Sequence, residues 1–308
     1  MSIDYSAAPV KKLDPLNTLM DIRAVAVAPG SLTFAQETGE RFQDHRGRTV
    51  LGSIGVMLDG VTGGAVYSGL TSDHQSVLAQ ITVSTAADFP RAGSVGAVGT
   101  LVHLDDGVGL ASGELRDGNN TLLAVMAGRA MIVTRPPVVE IDDYMEAQPF
   151  EVPIPEGVSD LTGLSGSDVV EGILTGTIKR GPLAGLLDLT LAEVTPGSVV
   201  GEVAPVEWMA NPLGAVQGGV LISIVDAITG LAAQTLTSAE QDYRVLDHKI
   251  DFLRSPSIDG PVMRAEADVI RAGRRLALIE SRIVDNTGQV YVRATSRIQM
   301  LSQQVHSE

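Results

Sequence analysis

The sequence predicts an α+β fold made twice over, on three observations. Two stretches, Asp44–Leu70 (DHRGRTVLGSIGVMLDGVTGGAVYSGL) and Asn211–Leu236 (NPLGAVQGGVLISIVDAITGLAAQTL), begin polar and Gly-rich, then turn apolar. The second apolar run is long enough for a buried helix of about five turns. The two stretches align at an offset of 167, pairing Gly47 with Gly214, Val50 with Gln217, Leu51 with Gly218, Gly52 with Gly219 and Asp59 with Asp226. Each is preceded by a hairpin pattern and followed by alternating apolar segments separated by turn residues, the signature of antiparallel strands. A repeat of two long units points to a duplicated domain, not a solenoid.

The chain divides accordingly. Residues 1–20 are expected to be a loose arm, with a helical turn near Pro15–Met20. The first domain spans 21–135. Asp21–Val27 and Ser31–Glu37 flank the Pro29-Gly30 turn pair as a hairpin. A Gly-rich helix over Gly52–Leu70 follows, with glycines that suit close approach of a sheet better than an isolated helix. Strands are expected at Val77–Val83, Gly93–Leu104, Gly109–Arg116 and Thr121–Thr134. Residues 136–165 form a linker with Pro136, Pro137, Pro149, Pro153 and Pro155 and seven acidic residues between Arg135 and Gly163. It is expected to run extended over the surface. The second domain, 166–303, opens with a short helix at Ser167–Thr175. It then repeats the order: hairpin Leu187–Val194 and Ser198–Val206, helix Gly218–Leu236, and strands Val245–Leu253, Val262–Arg271, Arg274–Val284 and Val290–Leu301. The offset holds upstream, where VAPGS at 27–31 meets VTPGS at 194–198. Downstream it becomes 168: SVLAQITV at 76–83 meets RVLDHKID at 244–251, and LRDG at 115–118 meets IVDN at 283–286.

Composition excludes several classes. At 308 residues there is room for two cores. With no cysteine there is neither a disulfide nor a thiolate nucleophile, and no oxidising compartment is implied. A net charge of −15 argues against a nucleic-acid surface. No uninterrupted apolar run reaches the roughly 20 residues of a membrane span, and the N-terminus has no apolar signal core. A cytoplasmic protein without a membrane partner is expected. His45, His74, His103, His248 and His306 show no metal-ligand spacing, so no metal is expected. The Gly107–Gly113 run sits in a predicted hairpin and is not a dinucleotide loop.

Each helix carries one carboxylate in an apolar run, Asp59 and Asp226. Such a group is costly unless it is hydrogen-bonded, paired or used. Gly218-Gly219 bares the first N–H groups of the second helix, which lack intrahelical partners and carry partial positive charge. That arrangement offers donors to a carbonyl oxygen, with a carboxylate two turns on. Packing alone is the alternative for the glycines, and a capped structural role the alternative for each Asp.

At Asn211, Gly214, Gln217-Gly218-Gly219 and Asp226 the chain resembles the PaaI-like hotdog thioesterases, with Gln217 where that family usually has His. The segment ADVIRAGRRLALIESRIVDNTGQVYVRATSRI also looks like the family's closing strands. The resemblance covers about Leu186–Leu301 well. Over Asp21–Thr134 it rests mainly on the internal repeat. It implies a double hotdog, each half a long central helix wrapped by a curved antiparallel sheet. It also implies acyl-CoA hydrolysis with no cofactor beyond the coenzyme A of the substrate, and a homodimer or higher homo-oligomer.

Sites in that family are shared between two units, which implies two composite sites here. The first combines Asn211, Gln217 and Gly218 with Asp59 and Ser76, and every polar role is filled. The second combines Asp44, Val50 and Leu51 with Asp226 and Arg244, and is expected to be degraded. By the family's logic the Gly218 N–H and Asn211 hold the thioester oxygen. Asp59 acts as base on water or as nucleophile, and Ser76 orients the water. Gly219, Arg254, Arg271, Arg274 and Arg275 are the candidate coenzyme A contacts. A non-catalytic acyl-CoA or acyl-ligand binding protein is the alternative function. A hotdog dehydratase would need a helix histidine, which neither helix carries.

Overall fold

The computed structural model describes residues 8–70, 74–134, 136–151, 154–239 and 241–302. The first seven residues of the expected arm, Arg135, Pro153 and His306 lie outside them.

The first half runs α1 (Pro15–Leu19), β1 (Ile22–Ala28), β2 (Ser31–Thr38), a 3-10 turn at Leu51–Ile54, α2 (Gly55–Tyr67), β3 (Gln75–Thr85), β4 (Gly93–Leu104), β5 (Val108–Asp117) and β6 (Leu122–Val133). After α3 (Ile141–Glu146) and α4 (Gly166–Leu174), the second half repeats the order. It contains α5 (Pro182–Leu186), β7 (Thr190–Thr195), β8 (Ser198–Val203), α6 (Gly218–Gln234), β9 (Gln241–Phe252), β10 (Met263–Ala272), β11 (Leu276–Val284) and β12 (Val290–Ser302). Among the described residues, all twelve strands form one antiparallel sheet in the order β1-β2-β4-β5-β6-β3-β9-β12-β11-β10-β8-β7. The β3–β9 pairing, from Gln80 opposite Asp251 to Ser84 opposite Asp247, joins the halves. It leaves no free strand edge between them. Helix α2 packs on the first half-sheet, α6 on the second, and the two helices on each other.

The duplication extends further upstream than expected. Helices α1 and α5 correspond at 167, and so do Asp21 and Asp188, both with positive φ (54° and 49°). The N-terminal turn is therefore part of the repeat unit. The register also corrects the downstream alignment. Strand β3 bulges at Ala79 and β9 at Leu246, which correspond at 167, not 168. Ser76 thus corresponds to Tyr243. The extra residue enters after β9: the bulges of β4 at Val102 and β10 at Ile270 stand at 168. Asp117 and Asp285 also stand at 168, and each caps backbone N–H groups two and four residues on.

The linker is not wholly extended. It contains α3, whose Tyr144 hydroxyl donates to the Ala210 carbonyl at 2.9 Å, while the Val138 N–H donates to the Pro212 carbonyl at 2.9 Å. Glycine governs the helix crossing. A methyl on Gly219 would overlap Val56 Cα and the Gly55 carbonyl. A methyl on Gly63 would meet only Asp59 Oδ1, at 3.7 Å. Gly219→Ala is expected to cost about 1–3 kcal/mol or more, by overpacking. Gly63→Ala should be neutral, or stabilising by up to about 1 kcal/mol through the unfolded chain. Apparent melting temperatures of the two variants check this.

Candidate active site

Four segments converge on the first composite site. Gln217 is the N-cap of α6: its Oε1 accepts from the Gly219 N–H at 2.7 Å and the Val220 N–H at 3.2 Å. Its Nε2 donates to Asp59 Oδ2 at 2.5 Å, and the Gly219 N–H also reaches that oxygen, at 3.2 Å. The carboxylate of α2 thus sits on the first turn of α6. A methyl at position 218 would lie 3.1 Å from both carboxylate oxygens, so glycine is what lets them approach. The Gly218 N–H takes no part in any hydrogen bond among the described residues and borders the same cavity. Asn211 uses Oδ1 to cap the Leu213 and Ala215 N–H groups at 2.9 and 3.1 Å, which leaves its amide NH₂ unengaged among the described residues. Ser76 lies on β3 over the Gly63 carbonyl, 3.4 Å away.

These groups border a cavity of about 370 Å³. Its apolar walls include Leu32, Phe34, Leu78, Leu221 and Phe252, with Tyr144 of α3 at the roof. Burial pushes the Asp59 carboxyl up to about 6 from its ordinary 3.8, against the lowering effect of the Gly219 N–H.

The second composite site is closed. Asp226 is only 2% exposed. Its Oδ2 accepts from the Gly52 N–H at 2.8 Å, the counterpart of the Asp59–Gly219 bond. Its Oδ1 accepts from His248 Nε2 at 2.8 Å, and His248 Nδ1 lies 2.6 Å from Ser296 Oγ. Both oxygens are committed. Asp44 Oδ1 caps the Arg46 and Arg48 N–H groups, as Asn211 does in its own turn, and Oδ2 pairs with the Arg46 guanidinium. Burial alone would raise the Asp44 carboxyl, but Arg46 holds it below its usual range. Val50 and Leu51 border the site as expected, one partly buried and one buried. Arg244 does not take the place of Ser76. It turns to Asp88 and Gln299, and Tyr243 occupies that position, its hydroxyl 2.9 Å from where a methyl on Gly230 would be.

Two expectations about coenzyme A contacts fail. Gly219 is buried at the helix crossing, and its N–H is already used. Arg271, Arg274 and Arg275 flank the β10–β11 turn, whereas Arg254 follows the opposite end of the sheet, where β9 ends beside Val292 and Val284 pairs nearby. Strand β11 alone separates the two ends by roughly 30 Å at about 3.4 Å per residue. Of the predicted cations only Arg254 borders the cavity, joined by Lys11, which the sequence reading did not single out. His248, which has no metal-ligand spacing, was not expected beside Asp226. Its only signal was alternation along β9, where Tyr243, Val245, His248 and Ile250 are the buried positions.

The two carboxylates should respond oppositely to neutralisation. For Asp59 the folded state favours the protonated acid, so stability falls as pH rises from about 3.8 to about 6. Asp59→Asn is therefore expected to melt above the parent at pH 8, with the gap closing near pH 4. Asp226→Asn sets an NH₂ against either the Gly52 N–H or His248, and should lose roughly 1–3 kcal/mol. Thermal melts across pH measure both.

Comparison with known proteins agrees with this architecture. The thioesterase superfamily model matches residues 213–292. A provisionally named esterase of Saccharolobus solfataricus is 29% identical over 122 residues, 40% of this chain and 85% of that protein. The crystal structure of an acyl-CoA thioesterase II from Mycobacterium marinum superposes with a TM-score of 0.59 at 10% identity, covering 94% of this chain and 99% of its own. A tesB protein of Mycobacterium avium subspecies paratuberculosis gives 0.58 at 11% identity, with 92% and 98% covered. These two likenesses concern the fold over nearly the whole chain, and the family match concerns the Gly218 helix and the strands after it. The chain is a double hotdog whose residues 213–292 match the thioesterase superfamily.

Proposed function

We propose that the protein hydrolyses acyl-CoA thioesters at the site of Asp59, Gln217, Gly218, Asn211 and Ser76. The observation that carries this reading is the unengaged Gly218 N–H beside a carboxylate held by Gln217 and the Gly219 N–H. The thioester carbonyl oxygen would accept from the Gly218 N–H and the Asn211 amide, donors placed where negative charge develops. Asp59, as general base, would take a proton from a water that attacks the carbonyl carbon. Collapse of the tetrahedral oxyanion breaks the carbon–sulfur bond, and the proton held by Asp59 passes to the leaving thiolate. The products are a carboxylic acid and a thiol. Ser76 would orient the water. Gln217 orients the base, a part that the side-chain amide can play in place of the family's usual His. The apolar walls suit an acyl chain, and Arg254 and Lys11 suit the phosphates of coenzyme A. No metal or other cofactor enters this scheme.

Hydrolysis of a panel of acyl-CoA thioesters tests the reading. Asp59→Asn should lose at least about 10²-fold in turnover, the usual scale for removing a general base. In the parent, kcat/KM should rise with pH and level off above about 6, because the base works only when ionised. Binding of the panel without turnover would favour the non-catalytic acyl-CoA carrier instead.

The assembly belongs to the same proposal. A homodimer or larger homo-oligomer is expected, with β1 and β7 as the outer strands of the sheet. Light scattering at micromolar concentration should report a mass well above the 32.2 kDa of one chain.

A further inference from the structure

The duplication leaves a second cavity where the catalytic one has its counterpart. Shifting the residues around Asp59 by 167 gives Val50, Leu51, Thr85, Ala87, Tyr243 and Val245, which line a cavity of about 230 Å³. Asp226 is not among them. It borders a separate recess of about 20 Å³. Arg46, whose guanidinium carbon lies 3.6 Å from the centre of the Tyr243 ring, borders both spaces together with Val50, Tyr243 and Val245. The cavity has therefore kept its apolar pocket while losing contact with its carboxylate, and both Asp226 oxygens are committed elsewhere. A thioester in this cavity meets no counterpart of Asp59: the carboxylate that borders it, Asp88, is exposed and paired with Arg244.

The mouth is basic. Arg46, Arg48, Arg91 and Arg244 border the cavity, and the first three also border a wider polar depression of about 470 Å³ outside it. Asp44 and Asp242 pair with Arg46, Asp242 also pairs with Arg48, and Asp88 pairs with Arg244. Three of the four cations are paired with carboxylates, and Asp160 also borders the outer depression. Two groups of donors remain unused. Among the described residues the Arg91 guanidinium makes no ion pair, and Arg244 Nε is buried with no hydrogen-bond partner. A buried donor without a partner is unfavourable, and an acceptor in the cavity would reach Arg244 Nε once its side chain shifts.

We propose that this cavity is a binding-only site for a monocarboxylate with an apolar tail. Val50, Leu51, Ala87, Phe89 and Val245 would hold the tail, and Arg91 with Arg244 would hold the carboxylate in charge-assisted hydrogen bonds. The volume lies just below the roughly 300–1,000 Å³ usual for small-molecule sites, which suits a short or medium chain. Hydrolysis of a thioester releases such an acid. On the reading that the chain is an acyl thioester hydrolase, the ligand is of the class of its own product, held in the composite site that lacks a counterpart of Asp59. The binding claim itself rests on the cavity alone.

Octanoate is the probe, titrated into the full chain labelled for amide NMR. The expected result is saturable shifts at the Phe89, Arg244 and Val245 amides. Octanol and octylammonium should bind there at least about tenfold more weakly, because each lacks the charge that Arg91 and Arg244 recognise. Arg91→Ala, at an exposed position, and Arg91→Ala with Arg244→Ala should weaken octanoate by a similar factor or more. Ala87→Phe should abolish the shifts by filling the space. The proposal is overturned if octanoate shifts only residues around Gly218 and Asp59, if octanol binds equally well, or if folded Arg91→Ala retains full affinity. Failure of hydrolysis by the parent chain, with these shifts present, would sink the thioesterase reading and leave this site standing.

Discussion

The structure depends on the close approach of the two helix starts. Gly55 and Gly219 lie against each other with no room for a side chain on either. At that distance the carboxylate on each helix reaches the first turn of the other: Asp59 takes the Gly219 N–H, and Asp226 takes the Gly52 N–H. The reciprocal pair answers two problems at once. It supplies partners to helix N-terminal donors that have none within their own helix, and it satisfies carboxylates placed in apolar runs. The same contact lays α2 and α6 together beneath the joint between β3 and β9, so the core and both composite sites follow from one crossing.

From this symmetric frame the two sites diverge through few residues. In the turn before each helix, Asn211 and Asp44 perform the same capping with one oxygen. What remains differs: an amide that can donate on one side, and a carboxylate that recruits Arg46 on the other. Once Arg46 is drawn in, it stacks on Tyr243, where the first site has the small Ser76. Asp226, walled off, is then satisfied by His248. In the first site Gln217 caps its helix and holds Asp59 from the same amide, which leaves the neighbouring Gly218 N–H exposed to the cavity. Burial without an ion pair is what lifts the Asp59 carboxyl toward the range where a base works. That position carries a stability cost.

Much of this was legible in the chain. The duplication, the two helices and the succession of strands along the chain could be read from spacing, because apolar periodicity and glycine position are local properties, and family resemblance grouped Asn211, Gln217, Gly218, Asp59 and Ser76; the pairing of β3 with β6 and β9 could not be read. What escaped depended on register and on distance through space. A single bulge, at Ala79 and again at Leu246, decides that Tyr243 and not Arg244 corresponds to Ser76. An alignment of similar letters cannot see which residue a strand skips. The arginines of the β10–β11 turn looked close to Arg254 in sequence, yet antiparallel strands carry them to the other end of the sheet.

The sequence by itself determined the fold, through a doubled pattern of helix and alternating strands, and it marked the helix start at which Gln217 caps and the Gly218 N–H is left without a partner among the described residues. Only the tertiary structure decided which carboxylate is exposed to a cavity and which is sealed. That outcome rests on contacts between residues as far apart as His248 and Asp226, Arg46 and Tyr243, or Tyr144 and Ala210, which pack together only once the sheet has closed around both helices. Such contacts leave no periodic trace in the chain, because each is made by one side chain across the core.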